Sequence, residues 1–348
     1  MTTQEQWRDW LNRATRLVIR ADWTPIQSDR FQPTGFPNLG PAQYRLPDGT
    51  DVVVVESPQS MVNRLEGLSW DVQRARPIAL WQGLPWVEVV DAAGHHLTSS
   101  REEPHRLFGA WLRDSTLAST GQGWIPYLIQ AFGLREGRAL DWSVIYPAIY
   151  RLDPYCLVHG VFFAHKKLPG QPKVARAITP TMDAFGAQPV TSGGVKKEVV
   201  SMKSQEGQSG KEGYGFIPFS RVEFVAERIE SRFVIDVEQL RGYRLKPIET
   251  EVLFLLALWE AVDFVGRPER LRTFCDLQAA EAKLLTPQGD LPTLMDLEAA
   301  IRERVSQEVG EPLRLVHEVQ KETKVQKEEE EEGEHEDEDE EEQEKGEQ

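Results

Sequence analysis

The clearest pattern of apolar and polar positions lies in residues 51–72. Four consecutive valines in DVVVVE predict a strand, residues 51–56, that is buried on both faces. Ser57 follows as an N-cap, and Pro58 as the first residue of a helix, where its missing N–H is not needed. The apolar stripe of this helix, on 3.6-residue spacing, consists of Met61, Leu65, Leu68 and Val72. The spacing predicts that this face packs on the core.

The opposite face of the same helix is polar and could hold an anion. Its side chains are Gln59, Ser60, Asn63 and Arg64, with Gly67 adding no bulk. Free backbone N–H groups, the positive end of the helix dipole and an arginine one turn along would make a seat for phosphate. An ordinary capped surface helix explains the same pattern, and the residues alone leave both interpretations open.

The rest of the chain mixes predicted helices and strands without a regular βαβ order, which favours an α+β fold. The other predicted helices are residues 4–20, 104–118, 247–265 and 293–309. The other predicted strands are residues 86–90, 142–150, 156–164 and 222–237. Residues 24–49 are rich in proline and glycine, which is typical of irregular loops.

Two segments differ in composition from the rest of the chain. Residues 188–216 are rich in Gly, Ser and Lys, which predicts a protruding, mobile insertion. Residues 321–348 hold 16 acidic and 4 basic residues, so they cannot bury a core, and we expect a disordered tail. The sequence thus predicts one folded domain, residues 1–320, followed by this acidic tail.

The net charge of −16 overstates the acidity of the folded part, because the tail alone carries −12 and residues 1–320 carry −4. A polyanionic partner would therefore have to bind local basic patches. Cys156 and Cys275 are typical of reduced thiols in a cytoplasmic protein. The chain begins without a signal-peptide pattern, and its most apolar stretch, residues 252–259, is too short to span a bilayer. We expect a soluble cytoplasmic protein without a membrane partner.

The predicted helix at 104–118 carries a second basic group. On a helix, Arg106 and Arg113 would share one face about 10 Å apart, which suits a run of phosphates. His105 could donate a hydrogen bond to phosphate or act as an acid or base. A solvated helix end, with Arg113 paired to a carboxylate, is the alternative.

A third basic group follows the strand predicted at 156–164. It consists of Lys166, Lys167, Lys173 and Arg176 around a Pro-Gly turn. A basic loop beside a strand edge fits contact with the backbone of single-stranded nucleic acid, although a solubilising turn has the same composition. Lys196 and Lys197 of the predicted insertion could fold onto a polyanion or simply be solvated.

Catalytic patterns are sparse. The pair His95-His96 lies in a predicted turn without metal-ligand spacing to other candidate ligands. The sequence contains no P-loop, no GxGxxG after a strand and no nucleophile elbow. Asp141 and Asp153 are isolated carboxylates. The sequence therefore predicts no catalytic residue, no metal site and no cofactor.

Three segments together resemble one known family. ESPQSMVNRLE resembles the D-S-x-Q-S-x-x-N-R-x-E signature of the CRISPR-associated RAMP backbone subunit of type I-U, now I-G, interference complexes. EEPHRLFGAWLRDS is similar to that family's A-P-H-R…LRDS motif, and KVARAITPTMDAFGAQPV to its R-A-L-T-S-E-I-x-G-x-x-V segment. Order and approximate spacing agree across residues 40–285. Glu56 replaces the usual Asp, and Thr181-Met182-Asp183 departs from Ser-Glu-Ile.

The resemblance implies a modified RRM or ferredoxin-like palm with inserted finger and thumb elements. It also implies that several copies polymerise along a CRISPR RNA, together with other Cascade subunits, and present the guide for pairing with target DNA. Such a subunit binds RNA without cleaving it. Residues 188–216 would be the thumb or a related insertion.

The RNA contacts that the resemblance implies combine the three basic groups with the strand-to-helix unit. They are Ser57, Gln59, Ser60, Asn63, Arg64, His105, Arg106, Arg113, Lys166, Lys167, Lys173, Arg176, Lys196 and Lys197. Two other classes of function remain open. One is an endoribonuclease of the same RAMP superfamily with His105 as general acid or base, and the other is a metabolic enzyme with an anion site.

Overall fold

The computed structural model describes residues 3–36, 39–198, 215–306, 308 and 310–318. Its helices are Thr3–Arg13 (α1), Pro58–Gly67 (α2), Ala110–Arg113 (α3), Trp124–Ala131 (α4), Trp142–Leu152 (α5), Tyr155–His159 (α6), Val237–Gly242 (α7), Pro247–Val265 (α8) and Leu294–Arg302 (α9), with a 3-10 turn at Arg106–Phe108. The predicted acidic tail, residues 321–348, lies outside the described residues.

The strands are numbered in chain order. They are Arg16–Pro25 (β1), Gly35–Phe36 (β2), Gly40–Pro41 (β3), Gln43–Arg45 (β4), Asp51–Glu56 (β5), Trp70–Asp71 (β6), Arg76–Pro77 (β7), Val87–Val90 (β8), His96–Ser99 (β9), Thr116–Leu117 (β10), Val161–Phe162 (β11), Lys173–Val174 (β12), Ile178–Phe185 (β13), Gln188–Glu198 (β14), Gly215–Val225 (β15), Arg228–Asp236 (β16), Glu269–Arg272 (β17), Cys275–Thr286 (β18), Gln288–Gly289 (β19) and Leu313–Val316 (β20).

An eight-stranded antiparallel sheet organises the fold, in the order β17-β18-β1-β16-β13-β5-β4 with β19 added to β18. Within it, β18-β1-β16-β13 has the strand order of a ferredoxin-like unit, since β13 and β16 form a hairpin and α8 connects β16 back toward β18. The predicted α+β class and palm-like sheet are confirmed. Strand β5 extends this unit and leads directly into α2.

The core lies between one face of the sheet and the helices. Along β1 the buried residues alternate, with Leu17, Ile19, Ala21 and Trp23 facing the core. Helix α8 is buried almost all round from Val252 to Phe264, as expected for a central helix that packs on α2, α6, α7 and α9 as well as on the sheet. The strongest helix predicted from sequence, residues 247–265, is confirmed.

Several predicted elements were wrong or had wrong limits. The helix predicted at 4–20 ends at Arg13, and strand β1 begins at Arg16. Residues 142–150 form helix α5 rather than a strand, and the strand predicted at 156–164 is helix α6 followed by the short strand β11. The helix predicted at 293–309 is the shorter α9.

Two of the five smaller sheets in the described part of the chain bear on function or on the limits of the fold. Strands β14 and β15 pair along their whole length as a hairpin inserted between β13 and β16, so the predicted insertion at 188–216 begins and ends in paired strands. Residues 199–214 of that segment lie outside the described residues. A four-stranded sheet in the order β10-β20-β8-β9 forms the other unit, in which β20 runs parallel to β8.

Candidate nucleic-acid interface

The strand-to-helix unit folds as its sequence predicts. Ser57 is the N-cap of α2, in extended conformation, and its side chain accepts a hydrogen bond from the backbone N–H of Ser60, 3.2 Å away. Met61 and Leu65 of the apolar stripe are fully buried, whereas Val72 lies beyond the helix and is 79% exposed. The valines of β5 are buried or half-buried. This unit therefore presents the polar face of α2 at a fixed position.

A groove of about 530 Å³ runs beside that polar face. The described residues that line it are Gln59, Asn63, Pro104, His105, Arg106, His159, Gly160, Val161, Phe162, Lys173, Val174, Ala175 and Arg176. None of these described lining residues is an aspartate or glutamate. Five residues that the sequence predicted as RNA contacts line this groove with polar side chains, and they come from three separate segments of the chain. They are Gln59, Asn63, His105, Lys173 and Arg176.

Opposite α2, the groove is bounded by a two-stranded ribbon, β11 and β12. Phe162 of β11 pairs with Lys173 of β12, and both side chains are exposed. Arg176, just past the ribbon, reaches across and donates a hydrogen bond to the side-chain oxygen of Gln59. The Gln59 side-chain N–H₂ in turn donates to Asn63, 3.3 Å away. The two walls are thus linked by hydrogen bonds between neutral and cationic groups.

Gly160 allows the floor of the groove to form. Its backbone, at φ 81° and ψ 156°, occupies a region that is open essentially to glycine alone. A Cβ atom at this position would lie 2.9 Å from the carbonyl oxygen of Val174 and 3.1 Å from the nitrogen of Arg176. The ribbon can therefore lie directly against the end of α6 only because residue 160 has no side chain.

Arg106 forms a buried ion pair beneath the groove. Its Nε and Nη2 donate to the two carboxylate oxygens of Glu66 at 2.6 and 2.7 Å, and its Nη1 donates to the carbonyl of Gly160 at 3.1 Å. Both side chains are more than nine-tenths buried. Burial opposes the charge of Arg106, but the adjacent Glu66 raises the pKa of the guanidinium above its ordinary value. The Arg106 guanidinium is therefore committed to holding α2 against the 106–108 turn.

This position corrects the helix predicted at 104–118. The segment is a 3-10 turn and the one-turn helix α3, separated by Gly109 in extended conformation, and Arg106 itself has φ 53°. Arg106 and Arg113 therefore do not share a helix face. Arg113 instead contacts Asp114 through Nε at 3.1 Å. The track of two arginines expected from the sequence does not form.

The groove keeps an excess of positive charge. The carboxylate of Glu66, just below the groove, is already paired with Arg106. Burial and the nearby Arg106 lower the pKa of Arg176 below its ordinary value, as expected for a cation without a carboxylate of its own. Neither Lys173 nor Arg176 forms an ion pair with any described carboxylate. An anion in the groove would relieve this repulsion.

His159 and Glu260 lie fully buried beneath the same site. His159 Nε2 is 3.0 Å from one oxygen of Glu260 and 3.1 Å from the other. Burial lowers the pKa of His159 to about 3 and raises that of Glu260 to about 8. Both groups are therefore neutral at pH 7, and a hydrogen bond joins the imidazole Nε2 to the Glu260 carboxyl.

The remaining predicted contacts lie outside the groove. Arg64 turns toward β17, where its guanidinium donates to the carbonyls of Arg270 and Leu271 and lies 3.6 Å from Glu56. These acceptors engage both terminal nitrogens of the guanidinium, so the arginine of the expected phosphate seat is engaged within the protein. Ser60 lies in the first turn of α2, next to the cap.

Lys166 and Lys167 lie exposed on the loop that joins β11 to β12, next to the groove but not in its wall. The backbone of Lys196 and Lys197 belongs to β14, and their side chains lie outside the described part of the structure. The predicted contacts therefore form one cluster in the groove and a basic loop beside it, with Arg64 and Arg113 apart from both.

Sequence reasoning missed Phe162 as a groove residue. The sequence signal for it was the run VFFA. Successive side chains of a strand point to opposite faces, so one of the two adjacent phenylalanines must point outward. It also missed the partner of Asp153, which accepts a hydrogen bond from the Ser100 hydroxyl at 2.6 Å. Asp141 caps α5 by accepting from the backbone N–H of Ser143 at 3.0 Å.

A second cavity, of about 660 Å³, lies on the face of the sheet away from α8. Its charged lining residues are Asp48, Asp183, Glu227, Arg228, Glu230 and Arg232. Four carboxylates among six charged groups make this cavity a poorer site for a polyanion than the groove. Over the described residues, no group of three or more His, Cys, Asp or Glu could hold a metal ion. Within the same residues, no helix combines the length and apolar character that crossing a membrane requires.

Comparisons with known proteins give the class of protein. A family model described as CRISPR-associated protein GSU0053 (Cas_GSU0053) matches residues 17–189, which include the palm strands β1, β5 and β13 and the whole groove. Over these residues, which make up about half of the chain, the protein is similar to this CRISPR-associated family. The family predicted from the three sequence motifs is confirmed. No protein with a curated description matches the chain.

Two solved structures resemble the fold at low sequence identity. A chain of a CRISPR RNA-guided surveillance complex, pre-nicking, is 14% identical, with a TM-score of 0.40 over 78% of this chain and 75% of that chain. Csc2 of Thermofilum pendens is 10% identical, with a TM-score of 0.27 over 84% of this chain and 71% of that chain. TM-scores in this range do not establish a common fold.

Proposed function

We propose that the chain is a non-catalytic, RNA-binding backbone subunit of a type I-G CRISPR surveillance complex. The observation that carries the proposal is the groove between α2 and the β11–β12 ribbon. It gathers Lys173, Arg176, His105 and two side-chain amides, and its described lining residues include no carboxylate. Similarity to a CRISPR-associated family over residues 17–189 supports RNA as the polyanion.

In this proposal the protein holds the backbone of the guide while base pairing reads the target DNA. Several copies polymerise along one CRISPR RNA and assemble with other Cascade subunits. The β14–β15 hairpin, inserted between two palm strands, is the element we propose as the thumb over the RNA. Lys166 and Lys167, exposed beside the groove, extend the basic surface along the strand.

The geometry around the two groove histidines supports a binding role over catalysis. A general acid or base needs a pKa near the working pH and a group that orients it. His159 is neutral, fully buried and hydrogen-bonded to Glu260. His105 is exposed and contacts no described carboxylate that would orient its ring.

Co-purification from cells tests the proposal. The full chain is expressed with a CRISPR array and its partner subunits, as wild type, Lys173→Glu and Arg13→Glu. Arg13 is the matched control because its side chain is 81% exposed on α1 and does not line the groove. We expect RNA of uniform guide length with wild type and Arg13→Glu, protected from nuclease at regular intervals, and its loss with Lys173→Glu.

Three results would contradict the proposal. Wild-type protein that purifies as a monomer free of nucleic acid, with guide and partners present, would exclude the backbone role. Cleavage of a CRISPR repeat RNA that disappears in His105→Ala would favour the endoribonuclease instead. A small phosphorylated ligand in the groove, without RNA, would favour a metabolic enzyme.

A further inference from the structure

Phe162 is the large apolar side chain that stands exposed in the wall of the groove. Its side chain is 46% exposed, although its neighbours Val161 and Phe163 are buried. The alternation follows from the strand, because successive side chains point to opposite faces. Phe163 packs edge-to-face on Phe108 and Phe132, with ring centroids 5.5 and 5.0 Å apart. This anchoring holds the ring of Phe162 outward in the groove.

The surroundings of the ring are those of a nucleotide site. Lys173 Nζ lies 5.3 Å from the ring centroid, over the ring, and Gln59 and Asn63 line the opposite wall. A single exposed aromatic residue is common on protein surfaces and carries no meaning alone. Here the ring, a free ammonium and two amides face one groove whose described lining contains no carboxylate.

We propose that Phe162 is a stacking platform for an unpaired base of single-stranded RNA, with Lys173 holding the adjacent phosphate. The inference rests on the proposed RNA-binding function and adds the form of RNA that the groove accepts. A base within a duplex is stacked on both faces and cannot lie on the ring, so the groove takes single strands. Because every base has a π-face, the site tolerates any guide sequence.

The test compares full-length wild type with Phe162→Leu, Phe162→Tyr and Lys173→Ala. Leucine keeps an apolar side chain without a π-face, and tyrosine keeps the ring. The probes are a single-stranded RNA of guide length, the same RNA with abasic sites and a duplex of the same sequence. Dissociation constants are measured over a range of salt concentrations, and 2-aminopurine fluorescence in the single strand reports stacking.

We expect Phe162→Leu to weaken single-strand binding by about fivefold or more, while Phe162→Tyr stays within about twofold of wild type. The salt dependence of Phe162→Leu should equal that of wild type, because no charge is removed. Wild type should bind the duplex and the abasic RNA no more tightly than Phe162→Leu binds the intact strand.

Equal affinities of Phe162→Leu and wild type for the intact strand would overturn the stacking proposal. Equal affinity of wild type for abasic and intact RNA would do the same. In either case, weaker binding by Lys173→Ala would leave the proposed function standing. Wild type that binds none of the three RNAs would overturn both proposals.

Discussion

The guanidinium of Arg106 grips the carboxylate of Glu66 through two parallel hydrogen bonds of 2.6 and 2.7 Å, across 40 positions of sequence. The pair joins α2 to the turn that carries His105, and a third bond from Arg106 reaches the carbonyl of Gly160. This buried ion pair therefore connects three parts of the groove lining, namely α2, the turn after His105 and Gly160. The groove is shaped by a structural arginine, while Lys173 and Arg176, which face it, form no ion pair with a described carboxylate.

Removing one partner of this pair should be strongly destabilising. Glu66→Gln leaves the buried guanidinium without its counter-charge, and we expect a loss of about 3–5 kcal/mol in the free energy of unfolding, measured by urea denaturation. The double variant Glu66→Met/Arg106→Met should recover much of that loss, because no buried charge then lacks a partner. A loss below about 1 kcal/mol in Glu66→Gln would contradict the assignment.

The His159–Glu260 pair predicts an unusual pH dependence. The carboxyl of Glu260, with its pKa raised from 4.5 to about 8, holds its proton in the folded state where the unfolded chain loses it. It therefore lowers stability progressively as pH rises from about 4.5 to 8. The pKa of His159 is lowered from 6.5 to about 3. This residue therefore makes the folded state more stable as pH rises from about 3 to 6.5. The two effects offset one another at mildly acidic pH.

Glu260→Gln should remove the loss of stability on the alkaline side, because glutamine can hydrogen-bond to His159 and cannot ionise. We expect the variant to gain on wild type by up to about 1 kcal/mol per pH unit between pH 6.5 and 8. Urea unfolding at several pH values measures this difference. Parallel pH profiles for the two proteins would rule out a raised pKa at Glu260.

Gly160→Ala should disturb both the fold and the groove. The new Cβ would meet the Val174 carbonyl at 2.9 Å in a backbone region that favours glycine, so we expect a loss of about 2 kcal/mol or more and weaker RNA binding. Gly67→Ala is the matched control, because a Cβ at the end of α2 meets nothing within 4 Å. Helix propensity predicts that Gly67→Ala raises stability by about 0.5–1 kcal/mol. Equal effects of the two changes would refute the close approach at residue 160.

Salt dependence should separate the cations that touch RNA from those that serve the fold. Each phosphate contact with single-stranded nucleic acid contributes about 0.7 to the slope of log affinity against log salt, so Lys173→Ala should lower the slope by about that amount. Arg64→Ala should leave the slope unchanged, because its guanidinium binds backbone carbonyls of β17. Fluorescence anisotropy between low and physiological salt measures both slopes. A lower slope for Arg64→Ala than for wild type would show that Arg64 contacts a phosphate of the RNA.

Local signals in the sequence were sufficient for β5 and α2. A valine run and a Ser-Pro cap act within a few residues, and no distant contact overrides them. Helix α5 was missed because its aromatic and β-branched residues favour strands, although Ile145, Ala148, Ile149 and Leu152 follow helical spacing. The capping Asp141 was the other overlooked signal.

The groove itself could not be derived from the sequence, because its walls come from segments more than 100 residues apart. Residue types identified Lys173 and Arg176 as candidates, but only the fold brings them opposite Gln59. The same limit explains Arg106 and Arg64. A surface arginine and a buried one look alike in sequence until the partner, Glu66 or the β17 carbonyls, is known.

Strand β20 sets a boundary for anyone who shortens the chain. It lies parallel to β8 and antiparallel to β10. Arg314 of β20 donates a hydrogen bond to the carboxylate of Glu88 in β8, 2.9 Å away. A truncation before Leu313 would remove the strand between β8 and β10 and leave two unsatisfied edges, which invites aggregation. A stop codon after Glu318 spares every backbone bond of this sheet, so the acidic segment can be cut away and its contribution measured on an intact fold.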